Sequence, residues 1–151
     1  MEKEFDIRKE TLKTNLLGQI LVKKGLINKE QLQEALNIQK KKKGLLGDIL
    51  IELGYISDEK LGLALASQTD LVYVPVEKYK ISKEILRLIP KDVLYKYCFV
   101  PLEKINGVLA IAMANPFDKE NIKKIEVLTR YRVVCMIGAK TQIEKAIETQ
   151  Y

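Results

Sequence analysis

The sequence predicts an α+β fold: a helical N-terminal domain of two tandem helix-turn-helix repeats, followed by a small α/β domain with a mainly antiparallel sheet of about three strands. The first observation behind this prediction is that Leu16–Gln39 recurs, shifted by 29 residues, as Leu45–Gln68, with 12 of the 24 paired positions identical. Since no gap is needed, the segments should be one structural unit used twice. The second is that apolar residues change from helical spacing to shorter, strand-like runs after Gln68.

Each repeat predicts two helices around a glycine turn. Gly25 and Gly54 fall just past the first helix of their repeat, where a left-handed residue can close the last turn. Asn28 and Ser57 follow three residues later and are suitable N-caps for the second helix. The apolar identities of the first helices have helical spacing and should form a buried stripe: Leu17, Ile20 and Leu21, and Leu46, Ile49 and Leu50.

Four other identical positions are not explained by packing or capping. Gly18 and Gly47 lie inside the predicted first helices, where glycine costs about 1 kcal/mol relative to alanine. A glycine placed there twice predicts that another helix or a ligand approaches the backbone closely. Gln39 and Gln68, at the ends of the second helices, also have no packing explanation.

The repeat resembles the tandem Leu-Gly-x-x-Leu-x-x-x-Gly … Leu-x-x-x-Leu-x-x-Gln motif in the N-terminal domain of assembly ATPases of type II secretion and type IV pilus systems. The resemblance runs over about 135 residues, from Leu16 to the C-terminus, and includes the segment 114–118. Some members of that family bind cyclic di-GMP through this motif. Ligand-binding members begin each motif with arginine before Leu-Gly, whereas this sequence has Leu16 and Leu45 at those positions.

The resemblance implies a candidate cyclic di-GMP site. The glycines would let the ligand approach the backbone, the leucines would pack against bases and ribose, and the glutamines would hydrogen-bond polar edges. An aspartate of the second domain would reach the same ligand. The candidate residues are Leu17, Gly18, Leu32, Leu36, Gln39, Leu46, Gly47, Asp48, Leu61, Leu65, Gln68 and Asp118. No other cofactor and no metal are expected.

Asp118 also has a local explanation. Asn115 can cap a helix, Pro116 suits its first position, and Asp118 at its third position can complete a capping box and face the helix dipole. Capping is the favoured interpretation, and ligand contact does not exclude it.

The second half predicts alternating strands and helices. Leu71–Val76 should be an extended connector or an edge strand, because Pro75 cannot donate to a central ladder. Asn106 and Gly107 are typical of a tight hairpin turn. The expected elements are a helix at 82–88, strands at 97–102 and 108–113, a helix from Asn115-Pro116 to Thr129, a strand at 132–137 and a helix at 141–149. The expected boundaries are 1–69 for the helical domain, 70–80 for a connector and 81–151 for the α/β domain.

Composition and charge restrict the function classes. No apolar run approaches the roughly 18 residues needed to span a bilayer, and the N-terminus lacks a signal-peptide core, so a cytoplasmic location is expected.

The net charge is +6, but residues 1–69 carry 12 basic and 10 acidic side chains and the rest carries 14 and 10, so neither half is a basic domain. Lys40–Lys43 is the one dense cluster. Its lysines suit a solvated linker or could steer an anionic ligand, and without interleaved aromatic residues they do not favour nucleic-acid binding.

Catalysis is not expected. The chain has no histidine, which is the commonest general base near neutral pH. Cys98 and Cys135 lie in apolar, strand-like contexts, so reduced packing cysteines are expected rather than a disulfide. Two cysteines 37 positions apart also do not form a structural zinc set. The segment 138–141 lacks the adjacent Gly-Lys pair of a phosphate-binding loop. An ATPase motor, in cis or in trans, would lie outside this chain.

Two functional classes therefore stay open. In the favoured one, the chain is a regulatory domain that docks onto a secretion or pilus platform protein, or onto a membrane partner, and couples the motor to it. Such a partner could recruit the chain to the inner membrane without direct membrane insertion. In the alternative, the tandem repeats form a receptor for cyclic di-GMP.

Overall fold

The computed structural model of the protein describes residues 17–116 and 118–151, and it describes Gln68 without its side chain. Leu16, one of the two positions at which leucine replaces arginine, and the side chain of Gln68 therefore lie outside the described part. The chain divides into two compact units between Gln68 and Thr69. The first unit is helical, and the second combines helices with a three-stranded sheet, so the expected fold class is confirmed.

From residue 17 onward, the first unit contains four helices arranged as two hairpins. The first hairpin consists of α1, helical at 17–23, and α2, Lys29–Lys42. The second consists of α3, Leu46–Glu52, and α4, Asp58–Gln68. Each helix therefore falls at the equivalent place in its repeat.

The two turns inside the hairpins have the same hydrogen bonds. Gly25 and Gly54 are left-handed, with φ of 71° and 77°. The amide of Gly25 donates to the Val22 carbonyl at 3.0 Å and that of Leu26 to the Leu21 carbonyl at 3.0 Å. The equivalent bonds in the second repeat run from Gly54 to Ile51 at 2.9 Å and from Tyr55 to Leu50 at 3.0 Å. This is a Schellman motif, and it explains why both turns use glycine.

The second helices begin at the predicted caps. Asn28 Oδ1 accepts from the Gln31 amide at 2.7 Å, and Gln31 Oε1 accepts from the Asn28 amide at 2.9 Å, which completes a capping box. Ser57 Oγ accepts from the Lys60 amide at 3.2 Å.

One apolar core joins the two hairpins. Each turn also contacts the second helix of the other repeat. Lys24 Nζ donates to Ser67 Oγ at 2.9 Å, and the Tyr55 hydroxyl donates to Glu34 Oε2 at 2.5 Å. The hydrogen bond to the Glu34 carboxylate raises the pKa of Tyr55. The fully or nearly fully buried apolar side chains of this core are Leu17, Leu21, Ile27, Ala35, Leu46, Ile49, Leu50, Ile56, Leu61 and Ala64.

The sheet of the second unit is mixed. Strand β1, Phe99–Ile105, pairs antiparallel with β2, Val108–Met113, through a turn in which Asn106 and Gly107 have φ of 47° and 79°. These values fit the predicted tight hairpin. Strand β3, Arg132–Ile137, pairs parallel with β2 because a helix connects the two strands.

Four helices accompany the sheet. They are α5, Lys83–Leu86; α6, Lys91–Tyr97; α7, Lys119–Thr129; and α8, Lys140–Gln150. Helix α6 was not expected, and it corrects the prediction that a strand begins at Tyr97. Leu94 is fully buried and anchors the helix, which ends at Cys98 in a left-handed conformation with φ of 49°.

The expected connector 70–80 is largely part of the second unit. The Val74 amide donates to the Ile137 carbonyl at 2.8 Å, and the Ile137 amide donates to the Val72 carbonyl at 2.9 Å. The predicted edge strand is therefore one isolated parallel bridge, between Tyr73 and Ile137. Val76 begins a short 3-10 helix, Val76–Lys78, and is fully buried in the core of the second unit.

Two glutamines of α8 hold the segment 77–81 in place. Gln142 Oε1 accepts from the Glu77 amide at 3.4 Å. Gln150 Oε1 accepts from the Ile81 amide at 2.8 Å, and its Nε2 donates to the Tyr79 carbonyl at 3.3 Å. A single side chain thus satisfies two backbone groups next to the buried Ile81.

We expect Gln150→Ala to lower the free energy of unfolding by about 1–2 kcal/mol, because the half-buried Ile81 amide loses its acceptor. Urea denaturation followed by circular dichroism measures the change. Gln33→Ala is the control, since Gln33 bonds only to Asn37 on an exposed helix face, and it should change stability by less than about 0.5 kcal/mol. Equal stability of the Gln150 variant and the parent would contradict this role.

Candidate functional site

The glycines of the motif lie against leucines of the same hairpin. A Cβ built on Gly18 would lie 2.7 Å from Leu32 Cδ1, and one built on Gly47 would lie 2.6 Å from Leu61 Cδ2. Both distances are far shorter than an ordinary carbon–carbon contact of about 3.5–4.0 Å. The sequence left open whether a helix or a ligand approaches these backbones. In each repeat the approaching group is a side chain of the repeat's own second helix.

The motif leucines differ in exposure. Leu17, Leu46 and Leu61 are buried, at 8%, 2% and 9% exposed. Their side chains pack in the core of the first unit, so they have little exposed surface that could contact bases or ribose. Leu32, Leu36 and Leu65 are half-buried and pack on the edge of the same core. Of these six motif leucines, only the half-buried three keep apolar surface that a ligand or partner could contact.

Gln39 closes the loop between the repeats. Its side-chain Nε2 donates to the Gly44 carbonyl at 2.9 Å, and its backbone carbonyl accepts from the Lys43 amide at 3.1 Å. The motif glutamine therefore fixes the path by which the chain leaves α2 and enters α3. The half-buried Gln39 side chain therefore has a structural role in the loop between the repeats.

Leu45 occupies the position of the motif arginine in the second repeat and is 50% exposed. It precedes the first residue of α3 and makes no side-chain cap bond. Asp48, in the first turn of α3, is also exposed. The surface at the start of α3 therefore combines an apolar side chain with a carboxylate, which is unlike a site built to pair a phosphodiester with guanidinium groups.

Asp118 is in the second unit and caps a helix. Its Oδ1 accepts from the Asn121 amide at 3.0 Å, and its Oδ2 accepts from Asn121 Nδ2 at 2.8 Å. Because α7 begins at Lys119, Asp118 itself is the N-cap, and the expectation that Asn115 caps and Pro116 starts the helix is wrong. Asp118 is half-buried, and both of its oxygens already accept a hydrogen bond from Asn121.

Sequence reasoning missed the polar contacts between the repeats. Lys24 and Ser67 correspond to Leu53 and Ile38 of the other repeat, while Tyr55 and Glu34 correspond to Leu26 and Leu63. None of these positions is identical between the repeats, so the duplication carried no signal for them. Their chemistry becomes visible only when the two hairpins are packed together.

The Cys135 thiol and the acidic side chains bear on nucleophilic and metal chemistry in the part of the chain that the structure describes. Burial raises the pKa of the Cys135 thiol to about 12, so this thiol stays protonated and a poor nucleophile near neutral pH. Within residues 17–116 and 118–151, no group of three or more histidine, cysteine, aspartate or glutamate side chains is placed to hold a metal ion. In the same residues no helix has the length and apolar character to cross a membrane.

The two glycine–leucine hairpins followed by a small mixed sheet agree with a known domain. The family model of the MshEN domain matches residues 57–151, which is well over half of the chain. The chain belongs to the MshEN domain family. The match begins at the cap of α4, so it includes the whole second unit and the second helix of the second repeat.

Individual relatives agree with this assignment. The MshEN chain is 29% identical over 135 residues to the type IV pilus assembly ATPase PilB of Myxococcus xanthus strain DK1622. That similarity covers 89% of this chain and 24% of PilB, so the chain spans about a quarter of the length of that relative. The family expected from the tandem motif is thereby confirmed.

Two solved structures share the fold. The structure of MshE with cyclic di-GMP is 27% identical, with a TM-score of 0.73, and the match covers 89% of this chain and 98% of that one. The N-terminal domain of XpsE is 21% identical, with a TM-score of 0.73 and coverage of 89% and 93%. The second similarity supports the fold alone.

We expect Gly47→Ala to lower the free energy of unfolding by about 1–2 kcal/mol. The new Cβ would meet the buried Leu61, and overpacking should outweigh the gain of about 1 kcal/mol in helix propensity. Gly18→Ala should be milder, because its neighbour Leu32 is half-buried and can move. Urea denaturation of both variants measures the difference.

A double-mutant cycle with Leu61→Ala tests the cause of this effect. Shortening Leu61 should remove the penalty of the alanine at position 47, which gives a coupling of at least about 0.5 kcal/mol. Additive effects of the two substitutions would show that the glycine is required for another reason.

Proposed function

We propose that this MshEN domain is a non-catalytic regulatory and docking domain of a type II secretion or type IV pilus assembly ATPase. It couples the motor to a platform or membrane-partner protein and acts in the cytoplasm. The observation that carries the proposal is a difference between the repeats on their exposed surface. At one position the first repeat has a charged residue and the second repeat has a leucine. Leu63 is 49% exposed, whereas Glu34, its equivalent in the first repeat, hydrogen-bonds to Tyr55.

The exposed Leu63 is not required by the core of the first unit. It lies outside that core, on α4, and the equivalent position in the first repeat tolerates a carboxylate. Burying such a side chain against a partner contributes roughly 1.5–3 kcal/mol. The relation to PilB, an assembly ATPase that is about four times as long as the matched region, supports a role as an accessory domain of a motor.

We expect the chain to bind the cytoplasmic region of the platform or membrane-partner protein of its own system, measured by titration calorimetry. Leu63→Asp should weaken this association at least tenfold, because a carboxylate would be desolvated in the interface. Val127→Asp is the matched control, since Val127 is 77% exposed on the second unit and should have no effect. No association, or equal weakening by both variants, would contradict docking through α4.

Cyclic di-GMP reception is the second candidate, favoured by the similarity to MshE, whose structure was solved with that ligand. The sites proposed from the sequence are those on the two hairpins, together with Asp118. Against strong binding, leucine replaces both motif arginines. Hydrogen bonds to charged groups contribute roughly 1.5–3 kcal/mol each, so losing two would weaken binding by about two to four decades.

Titration of the chain with cyclic di-GMP at moderate salt should therefore give weak binding or none, and the Leu16→Arg, Leu45→Arg double variant should gain affinity. Asp118→Asn keeps a capping side chain and removes the charge, so it separates ligand contact from helix capping. Tight binding by the parent chain, abolished by Gln39→Ala, would reverse the preference for docking. No gain in the double variant would mean that the rest of the pocket is not preserved.

A further inference from the structure

We propose that the segment Lys40–Leu45, here named the lysine loop, binds the surface of an anionic phospholipid bilayer without crossing it. This contact goes beyond docking onto a partner protein, because it would place the first unit directly on lipid headgroups. The loop joins the two hairpins, and it presents four ammonium groups and one apolar side chain within six consecutive residues.

The charge of the lysine loop is concentrated and unpaired. Lys40, Lys41 and Lys42 form the last turn of α2, Lys43 follows as its C-cap, and all four are exposed. Within the described residues, none of the four lysines forms an ion pair with a carboxylate, whereas Lys124 pairs with Glu120. The ammonium groups are therefore available to an anionic partner.

The helical repeat does not require these lysines. The four residues that directly follow the second repeat, Thr69 to Val72, contain no lysine and include an aspartate. Cations at a helix C-terminus are favourable by only a fraction of a kcal/mol to about 1 kcal/mol each, and one would satisfy that preference. A run of four unpaired lysines is consequently better explained by an external anionic surface than by the stability of α2.

Leu45 distinguishes a lipid surface from a soluble anion. Its side chain is 50% exposed and comes two residues after the last lysine. The hydrogen bond from Gln39 Nε2 to the Gly44 carbonyl at 2.9 Å fixes the loop between the lysines and this leucine. Lysines at the headgroups with an apolar side chain at the acyl boundary are the chemistry of interfacial membrane binding.

Nucleic acid fits the lysine loop less well. The segment contains neither an aromatic side chain on which bases could stack nor an arginine that could form a bidentate phosphate contact. A soluble anion or a nucleic acid would contact the four lysines but not the exposed leucine, whereas a bilayer would contact both.

The chain alone should co-sediment with vesicles of phosphatidylglycerol and phosphatidylethanolamine at about 0.1 M salt and not with phosphatidylcholine vesicles. Each lysine near an anionic surface contributes roughly fivefold in affinity. Changing Lys40, Lys41, Lys42 and Lys43 to glutamine should therefore weaken binding at least a hundredfold. The matched control changes four exposed lysines of the second unit to glutamine: Lys78, Lys80, Lys83 and Lys123. Both variants carry a net charge of +6 − 4 = +2, so the control separates position from overall charge.

A fluorescent probe tests where Leu45 lies. The chain has no tryptophan, so Leu45→Trp introduces a single reporter at an exposed position. Its emission should shift to the blue on anionic vesicles, and lipids brominated on their acyl chains should quench it. Leu45→Ser should weaken vesicle binding several-fold, while thermal unfolding stays unchanged.

Several outcomes would overturn the proposal. One is no sedimentation with anionic vesicles, and another is equal loss of binding in the lysine-loop and control variants. Unshifted emission of the vesicle-bound Leu45→Trp chain would also overturn it. So would tight binding of single-stranded RNA or DNA through the same lysines without vesicle binding, since the partner would then be nucleic acid. These assays contain no partner protein, so their result is independent of docking through α4.

Discussion

The contact of Leu32 with Gly18, and of Leu61 with Gly47, is the constraint on which the first unit depends. In each hairpin the second helix can approach the first this closely only because glycine lacks a Cβ. Glycine disfavours the helix by about 1 kcal/mol, so burial of the leucine must supply the compensating free energy. The distances from a Cβ built on each glycine to the nearest leucine carbon differ by only 0.1 Å, which indicates that the hairpins share packing as well as sequence.

Features with a short-range cause were predictable from the sequence. The Schellman turns at Gly25 and Gly54, the capping box at Asn28 and the tight turn at Gly107 each depend on residues within about six positions. The repeat then extended this local information, because identical spacing implied identical turns. The strands at 108–113 and 132–137 were also predicted with the observed bounds, since short apolar runs end there at turn residues.

Features decided by tertiary packing were not predictable in the same way. Asn115 and Asp118 are both good caps, and nothing local ranks them, yet α7 begins after Asp118. The predicted strand began at Tyr97 and no element was predicted for residues 91–96, whereas α6 occupies them and ends at Cys98 in a left-handed conformation that cysteine rarely adopts. Within the candidate site, the sequence showed that Gly18 and Gly47 needed a close neighbour. Only the packing of the hairpins identified that neighbour as leucine.

The two repeats share their packing contacts but differ in their exposed residues, and this difference bears on the kind of partner. The glycine–leucine contacts are equivalent in both repeats, but Glu34 of the first repeat corresponds to the exposed Leu63 of the second. A twofold ligand such as cyclic di-GMP makes the same demands on both halves of a twofold site. Surfaces that have diverged at equivalent positions instead suit partners that differ on the two sides, such as a protein at one hairpin and a lipid surface at the loop. The asymmetry of the outer residues therefore favours docking over symmetric nucleotide recognition, even though the scaffold beneath is symmetric.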